Sequence, residues 1–172
     1  DSQTVHRRRE YMIEDQRFTA DRADVVTYLS EPLAEDTSFV GDISVKLDVA
    51  ITTTDADFVV RIIDLFPDDD AQKPQYQMLV RGDIMRARYR NSFSTPSPMI
   101  PDRATEVAFT LPGIAHTFKE NHRIMVCVQS SWYPLAERSP QQFVELWHCS
   151  AADFIATDVQ IFNTSSITLG QL

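Results

Sequence analysis

Glycine is scarce in this 172-residue chain: Gly41, Gly82, Gly113 and Gly170 are the full set. No two of them are close enough to frame a Gly-x-Ser-x-Gly nucleophile elbow. The same scarcity removes a phosphate-cradling loop and a dinucleotide fingerprint. Cysteine is scarcer still. Cys127 and Cys149 are too few for a disulfide framework and are read as free thiols, a single bridge between them being the less favoured alternative. No apolar run approaches the ~18 residues of a membrane span, and no basic-apolar-small signal sequence opens the chain at Asp1. The compartment stays open, and a secreted or periplasmic parent is compatible with the sequence. Basic residues are in deficit as well: 16 Lys and Arg against 25 Asp and Glu leave a net charge of −9. That balance disfavours a nucleic-acid partner, which calls for a basic face.

What the chain has in quantity is period-two apolar patterning. In Ile43-Ser-Val-Lys-Leu-Asp-Val-Ala-Ile51 every odd position is apolar, the signature of a strand with one buried and one solvated face. Thr105–Leu111 repeats it with Val107, Phe109 and Leu111, and His122–Trp132 with Ile124, Val126 and Val128. Phe58–Phe66 differs: apolar residues occupy both parities, which predicts a strand covered on both faces. Val25–Ser30, Tyr76–Arg81, Ile84–Tyr89, Asp158–Phe162 and Ser166–Leu169 are further strand candidates, while Ala34–Asp36 and Ser139–Phe143 could hold short helical turns. Pro- and Asp-rich breaks separate the runs. The predicted architecture is an all-β jelly-roll β-sandwich with a few short helical turns.

Chemistry-bearing patterns are thin. His116 and His122 stand six residues apart with no HExxH or CxxC partner nearby, so surface or satisfied structural histidines are favoured over a metal site. Asp64, Asp68, Asp69 and Asp70 offer oxygen ligands suited to calcium but lack the spacing of a calcium loop, and a solvated turn is the better reading. Arg81-Gly-Asp-Ile-Met-Arg-Ala-Arg-Tyr-Arg90 concentrates four arginines. As a strand it would put Arg86, Arg88 and Arg90 on one face, where pairing with carboxylates fits better than phosphate binding. The Arg81-Gly82-Asp83 tripeptide lies between strand-like runs, so Gly82 is expected to mark a bulge or bend and not an adhesion tip.

Several segments, in order, resemble one family. Tyr11-Met-Ile-Glu-Asp-Gln-Arg17 and Asp24-Val-Val-Thr-Tyr28 are similar to its D-Q-R…R-P-D-V-L-x-Y stretch, and Phe58–Asp68 to its D-F-x-x-K-L-I-D-V-x-P-D strand. Arg81–Arg90 resembles G-x-x-R-x-R-Y-R, His122–Pro134 resembles G-H-R-I-M-V-x-V-x-S-S-x-F-P, and Arg138-Ser-Pro-Gln141 resembles R-N-P-Q. The family is the X-Pro dipeptidyl-peptidase and cocaine-esterase group of serine hydrolases, with α-amino-acid ester hydrolases and glutaryl-7-aminocephalosporanic acid acylases nearest. Where it has Gly before His-Arg, this chain has Asn121, which also tolerates left-handed backbone.

The resemblance implies a galactose-binding-like C-terminal jelly roll at 21–172, led into by residues 1–20 from a hydrolase domain. The family's Ser, Asp and His lie upstream in that α/β-hydrolase domain, so no residue is carried over as catalytic, and no cofactor or metal is expected. In such enzymes the jelly roll packs on the hydrolase domain and helps shape the active-site region. Trp132, Tyr133, Arg86, Arg88 and Arg90 are the expected interdomain or ligand-facing residues, with the hydrolase domain of the same polypeptide as partner. A docking face left uncovered would promote self-association; no membrane partner is expected. The rival expectation is a carbohydrate- or ligand-binding module using Trp132, Tyr133 or Trp147.

Overall fold

The structure, a computed structural model, describes residues 14–19 and 22–171. Among these residues eight strands make two antiparallel sheets: β1 (Val25–Leu29), β2 (Thr37–Ile51), β3 (Asp57–Leu65), β4 (Gln77–Arg86), β5 (Thr105–Phe118), β6 (Arg123–Gln129), β7 (Val159–Ile161) and β8 (Ser166–Gln171). The first sheet runs β1-β6-β3-β4. The second runs β5-β2-β7, with β8 beside β7 on the same edge of β2. Their inner faces close on one core, giving the all-β sandwich that the alternation predicts.

The long strand β2 shows how the pattern becomes packing. Ile43, Val45, Leu47 and Val49 are buried on the core side, while Ser44 and Lys46 face solvent. Val107, Leu111, Ile114 and Phe118 of β5 face the same core. Each such side chain contributes roughly 1.5–3 kcal/mol on full burial. The strand does not stop at Leu111 as its pattern suggests. The register shifts between Gly41 and Ile43, so Pro112 and Gly113 form a bulge against the single residue Asp42, and β5 is an edge strand. Proline is tolerated in both settings because no ladder N–H is required of it.

Strand β3 is covered on both faces, as its mixed parity predicts. Phe58, Val60 and Ile62 enter the main core, and Ile63 joins Met125 and Cys127 in a smaller cluster on the outer side. Arg61, also on that outer side, is fully buried. Its guanidinium donates from Nη1 to Gln16 Oε1 at 2.7 Å and from Nη2 to Thr19 Oγ1 at 3.0 Å. A 3-10 turn, Gln16–Thr19, thus lies across the outer face of the first sheet. The proposed lead-in at 1–20 falls partly outside the described residues, since 1–13 and 20 are not among them.

Three local expectations are corrected. Tyr76–Arg81 and Ile84–Tyr89 are not two strands: one continuous β4 runs through Gly82 and ends at Arg86, and Ala87–Tyr89 is a 3-10 turn. The chain leaves the sheet there because the Ala87 N–H is donated to Ala56 O at 2.8 Å and the Arg88 N–H to Asp55 Oδ1 at 3.0 Å. Gly82 marks neither bulge nor bend. The register shift lies at Ile62/Ile63, opposite Val80, and Gly82 pairs regularly with Arg61. Its missing side chain makes room instead, since a Cβ there would sit 2.7 Å from Trp132 Cη2 and 3.1 Å from Arg61 Cγ. Finally, neither Ala34–Asp36 nor Ser139–Phe143 is helical; short 3-10 turns form at Leu146–His148 and Ala151–Asp153. Ser150 and Asp153 close the latter with a capping box. Asp36 is used as a turn anchor, accepting Lys119 Nζ and the Glu120 N–H.

Candidate interdomain surface

The three expected arginines do not share a strand face, because only Arg86 belongs to β4. Arg86 forms a two-point pair with Asp57, Nε to Oδ1 at 2.8 Å and Nη2 to Oδ2 at 3.1 Å. Burial pushes the Asp57 carboxyl above its ordinary range, and the Arg86 guanidinium works against that rise. Arg88 is buried with Asp55 and donates to the carbonyls of Val144 at 2.8 Å and Gln142 at 3.1 Å, while Phe143 lies against its guanidinium plane. Carboxylate pairing therefore holds for two of the three. Among the described residues Arg90 meets none: it donates to the carbonyls of Ala87, Ser97 and Pro98. Within the described residues Arg90 thus has carbonyl partners in place of the carboxylate expected in this domain or across to the hydrolase domain. The turn at 87–89 swings Arg90 toward the 97–98 loop and away from Asp55.

Trp132 is also misplaced by sequence reasoning. It is 4% exposed and packs into the gap above Gly82, so it supports the surface from beneath. The following residue, Tyr133, is 53% exposed. Around it opens a groove of about 810 Å³ lined by Arg86, Tyr89, Tyr133, Arg138, Trp147 and Phe154, among others. Trp147, on the 3-10 turn Leu146–His148, is 86% exposed. Arg138 lies over the Phe154 ring at 5.9 Å, and Tyr89 stacks on the exposed Phe93. Arg88 underlies the groove by holding the 142–144 loop through its two carbonyl bonds. Aromatic and arginine side chains on a firm, buried footing are the composition that marks protein interfaces. Phe154, Tyr89 and Arg138 were not singled out from sequence as surface residues. For Phe154 the signal was available in Leu146-Trp147 and Phe154-Ile155, apolar pairs in a stretch with no strand period.

The acidic and histidine residues resolve differently from expectation. Asp64 is not part of a solvated turn; it lies in β3, 2% exposed. Its carboxylate takes His116 Nε2 at 3.0 Å and His122 Nδ1 at 2.7 Å. Because His116 comes from β5 and Asp64 from β3, this triplet, centred on the buried Asp64, ties the two sheets together. The histidines are thus satisfied structural groups, and each also meets an aromatic ring, Phe118 for His116 and Phe66 for His122. Asp68 and Asp69 stay exposed, and Asp70 caps the turn by accepting the Gln72 and Lys73 N–H groups. Among the described residues no group of His, Cys, Asp and Glu is placed to hold a metal ion, and no helix is long and apolar enough to cross a membrane. Cys127 and Cys149 are both free thiols.

Comparison with known proteins gives this surface its context. Residues 3–145 match the X-Pro dipeptidyl-peptidase C-terminal non-catalytic domain. The chain is 34% identical over 125 residues to the cocaine esterase of Rhodococcus sp. (strain MB1 Bresler), covering 73% of this chain and 21% of that protein. The crystal structure of an aminopeptidase from a marine sediment archaeon, Thaumarchaeota archaeon, superposes with a TM-score of 0.90 at 37% identity, over 95% of this chain and 28% of that one. An α-amino acid ester hydrolase superposes with a TM-score of 0.90 at 36% identity, over 94% of this chain and 28% of its own. The chain thus spans between about a fifth and three tenths of the length of these relatives. With its sandwich fold and this match over most of its length, the chain belongs to the X-Pro dipeptidyl-peptidase C-terminal non-catalytic domain family.

Proposed function

We propose that this chain is the non-catalytic β-sandwich of a serine hydrolase acting on ester or amide bonds, and that it docks on the α/β-hydrolase domain of the same polypeptide. The observation that carries the reading is the groove around Tyr133, Arg138, Trp147 and Phe154, in which one tryptophan is 86% exposed above a rigid base of buried ion pairs. A solvated Trp beside Tyr, Phe and Arg is what an interface looks like before its partner is added. The triad belongs to the hydrolase domain in this reading, and the sandwich contributes a wall that shapes the active-site region. Of the residues expected from sequence, Tyr133 and Arg86 line the contact; Trp132 and Arg88 hold it from below, and Arg90 braces the neighbouring loop.

The test uses the full-length parent carrying Tyr133→Ser and Trp147→Ser together. Calorimetry should show the sandwich melting separately from the hydrolase domain, and ester hydrolysis should fall at least tenfold. Unchanged melting and unchanged hydrolysis would overturn the reading. Retention on immobilised glycans that disappears in the same variant, with hydrolysis intact, would establish the carbohydrate-binding module instead; Trp132, being buried, has no ring face free for a sugar.

A further inference from the structure

The two sheets do not close along one edge. Strand β1 ends the first sheet, and its register on β6 pairs Val26 with Val128 and Tyr28 with Val126. Directly opposed residues share a face, and Val128 and Val126 belong to the core. Val26 and Tyr28 are therefore inward-facing, yet they are 46% and 48% exposed. The cause is a cleft of about 560 Å³ between the sheets, lined by Tyr28, Val126 and Val128 on one side and Leu47, Ile161 and Ile167 on the other. A second cleft of about 370 Å³ continues it past Val26, sharing Val128 and Ile161.

The strand edge at this opening is equally unguarded. Edge strands are normally blunted by lysine, proline or a bulge, and Val25-Val-Thr-Tyr-Leu29 has neither residue and pairs without a register shift. The Ser30 N–H is donated to Ile124 O at 3.0 Å. The two-residue period then aims the Tyr28 and Val26 amides at β6 and those of Thr27 and Leu29 away from it. Among the described residues no strand takes these outer positions.

From an open apolar cleft and a bare strand edge at the same place, we infer that the sandwich is completed by strand addition. An extended segment from the part of the parent polypeptide that precedes Asp1 pairs with β1 and inserts alternate apolar side chains between the sheets. This rests on the reading just proposed, that the chain is one domain of a longer hydrolase. The relatives that share this fold over 94–95% of the chain are more than three times its length, so the polypeptide to supply such a strand exists in them. Tethering also raises the strand's effective concentration. A second copy of this chain is the poorer occupant, because each carries a net charge of −9 and the copies repel.

The experiment replaces Tyr28 by the photo-cross-linking residue p-benzoylphenylalanine in the full-length parent, with a second preparation carrying it at Trp147. Amide hydrogen exchange is measured on the unmodified parent. Expected are a cross-link from position 28 to an extended segment preceding Asp1 in the same polypeptide, and exchange at Thr27 and Leu29 at least a hundredfold slower than in an unstructured peptide. Fast exchange at those amides, no cross-link, a cross-link within residues 1–172, or one joining two polypeptides would each overturn the inference. The Trp147 preparation separates the two readings: a cross-link from 147 to the hydrolase domain, with failure at 28, leaves the docking intact and removes only the added strand.

Discussion

Gly82 and Trp132 form a matched pair in which the absence of one side chain makes a seat for another. Gly82→Ala places a methyl group 2.7 Å from Trp132 Cη2, against an atom of a buried ring that has little room to retreat. Overpacking of this kind costs about 1–3 kcal/mol. Urea denaturation should show that loss, and the Trp132 fluorescence should change; a variant of wild-type stability would mean the indole sits elsewhere. Arg88 poses a different problem, a buried charge met by Asp55 and two carbonyls. Removing one partner of a buried pair costs about 3–5 kcal/mol. Arg88→Lys should recover little of it, because an ammonium cannot span a carboxylate and two carbonyls with a planar fork. The check is the denaturation midpoint of Arg88→Met and Arg88→Lys side by side: near-wild-type stability for the lysine variant would show that charge alone suffices.

At the scale of the element, the β5–β6 connection depends on a single left-handed residue. Asn121 has φ 66°, donates its N–H to Leu33 O and precedes His122, whose carbonyl accepts the Leu33 N–H. Asn121→Gly should leave the unfolding free energy from urea denaturation within about 0.5 kcal/mol of wild type, whereas Asn121→Val should cost about 1–2 kcal/mol through Cβ crowding in this conformation. Equal effects of the two would remove backbone conformation as the reason for Asn. This turn was legible in the sequence, and so were the alternating β2 and β6 and the doubly covered β3, because their patterns report a local period. The extent of β4, the 3-10 turn at 87–89 and the burial of Trp132 were not legible. Each is decided by a partner distant in sequence, Asp55 for Arg88 and Gly82 for Trp132, and no period within a strand encodes such a contact. The groove around Trp147 was hidden for the same reason, since its walls come from β4 and two irregular stretches that share no pattern.

At the scale of the whole molecule, the carboxylates decide how the sandwich responds to acid. The Arg22 guanidinium holds the Asp24 carboxyl below its ordinary range, Lys119 does the same for Asp36, and backbone N–H groups of Lys73 and Ser150 do so for Asp70 and Asp153. A group whose folded pKa is depressed stabilises the fold above its unfolded value, near 3.9 for aspartate, and loses that contribution as pH falls through the folded value. Asp57, raised by burial, acts with the opposite sign and favours the fold at low pH. Among the described residues five aspartates are depressed, these four and Asp15, against the one that is raised. The melting temperature should therefore fall progressively below about pH 4, and fall less steeply in Asp24→Asn; a flat profile in wild type would refute this assignment. The order in which the chain is made has a further consequence for β1. Its only strand partner among the described residues, β6, lies about 100 residues later, with Val25 opposite Gln129. At the 5–20 residues per second of synthesis, β1 leaves the ribosome about 5–20 s before β6 exists. During that interval Val25–Leu29 is an unpaired, β-prone apolar segment. A polypeptide that makes a preceding strand first would give β1 something to lean on before its own sheet arrives, and its newborn chains should aggregate less than those begun at Asp1.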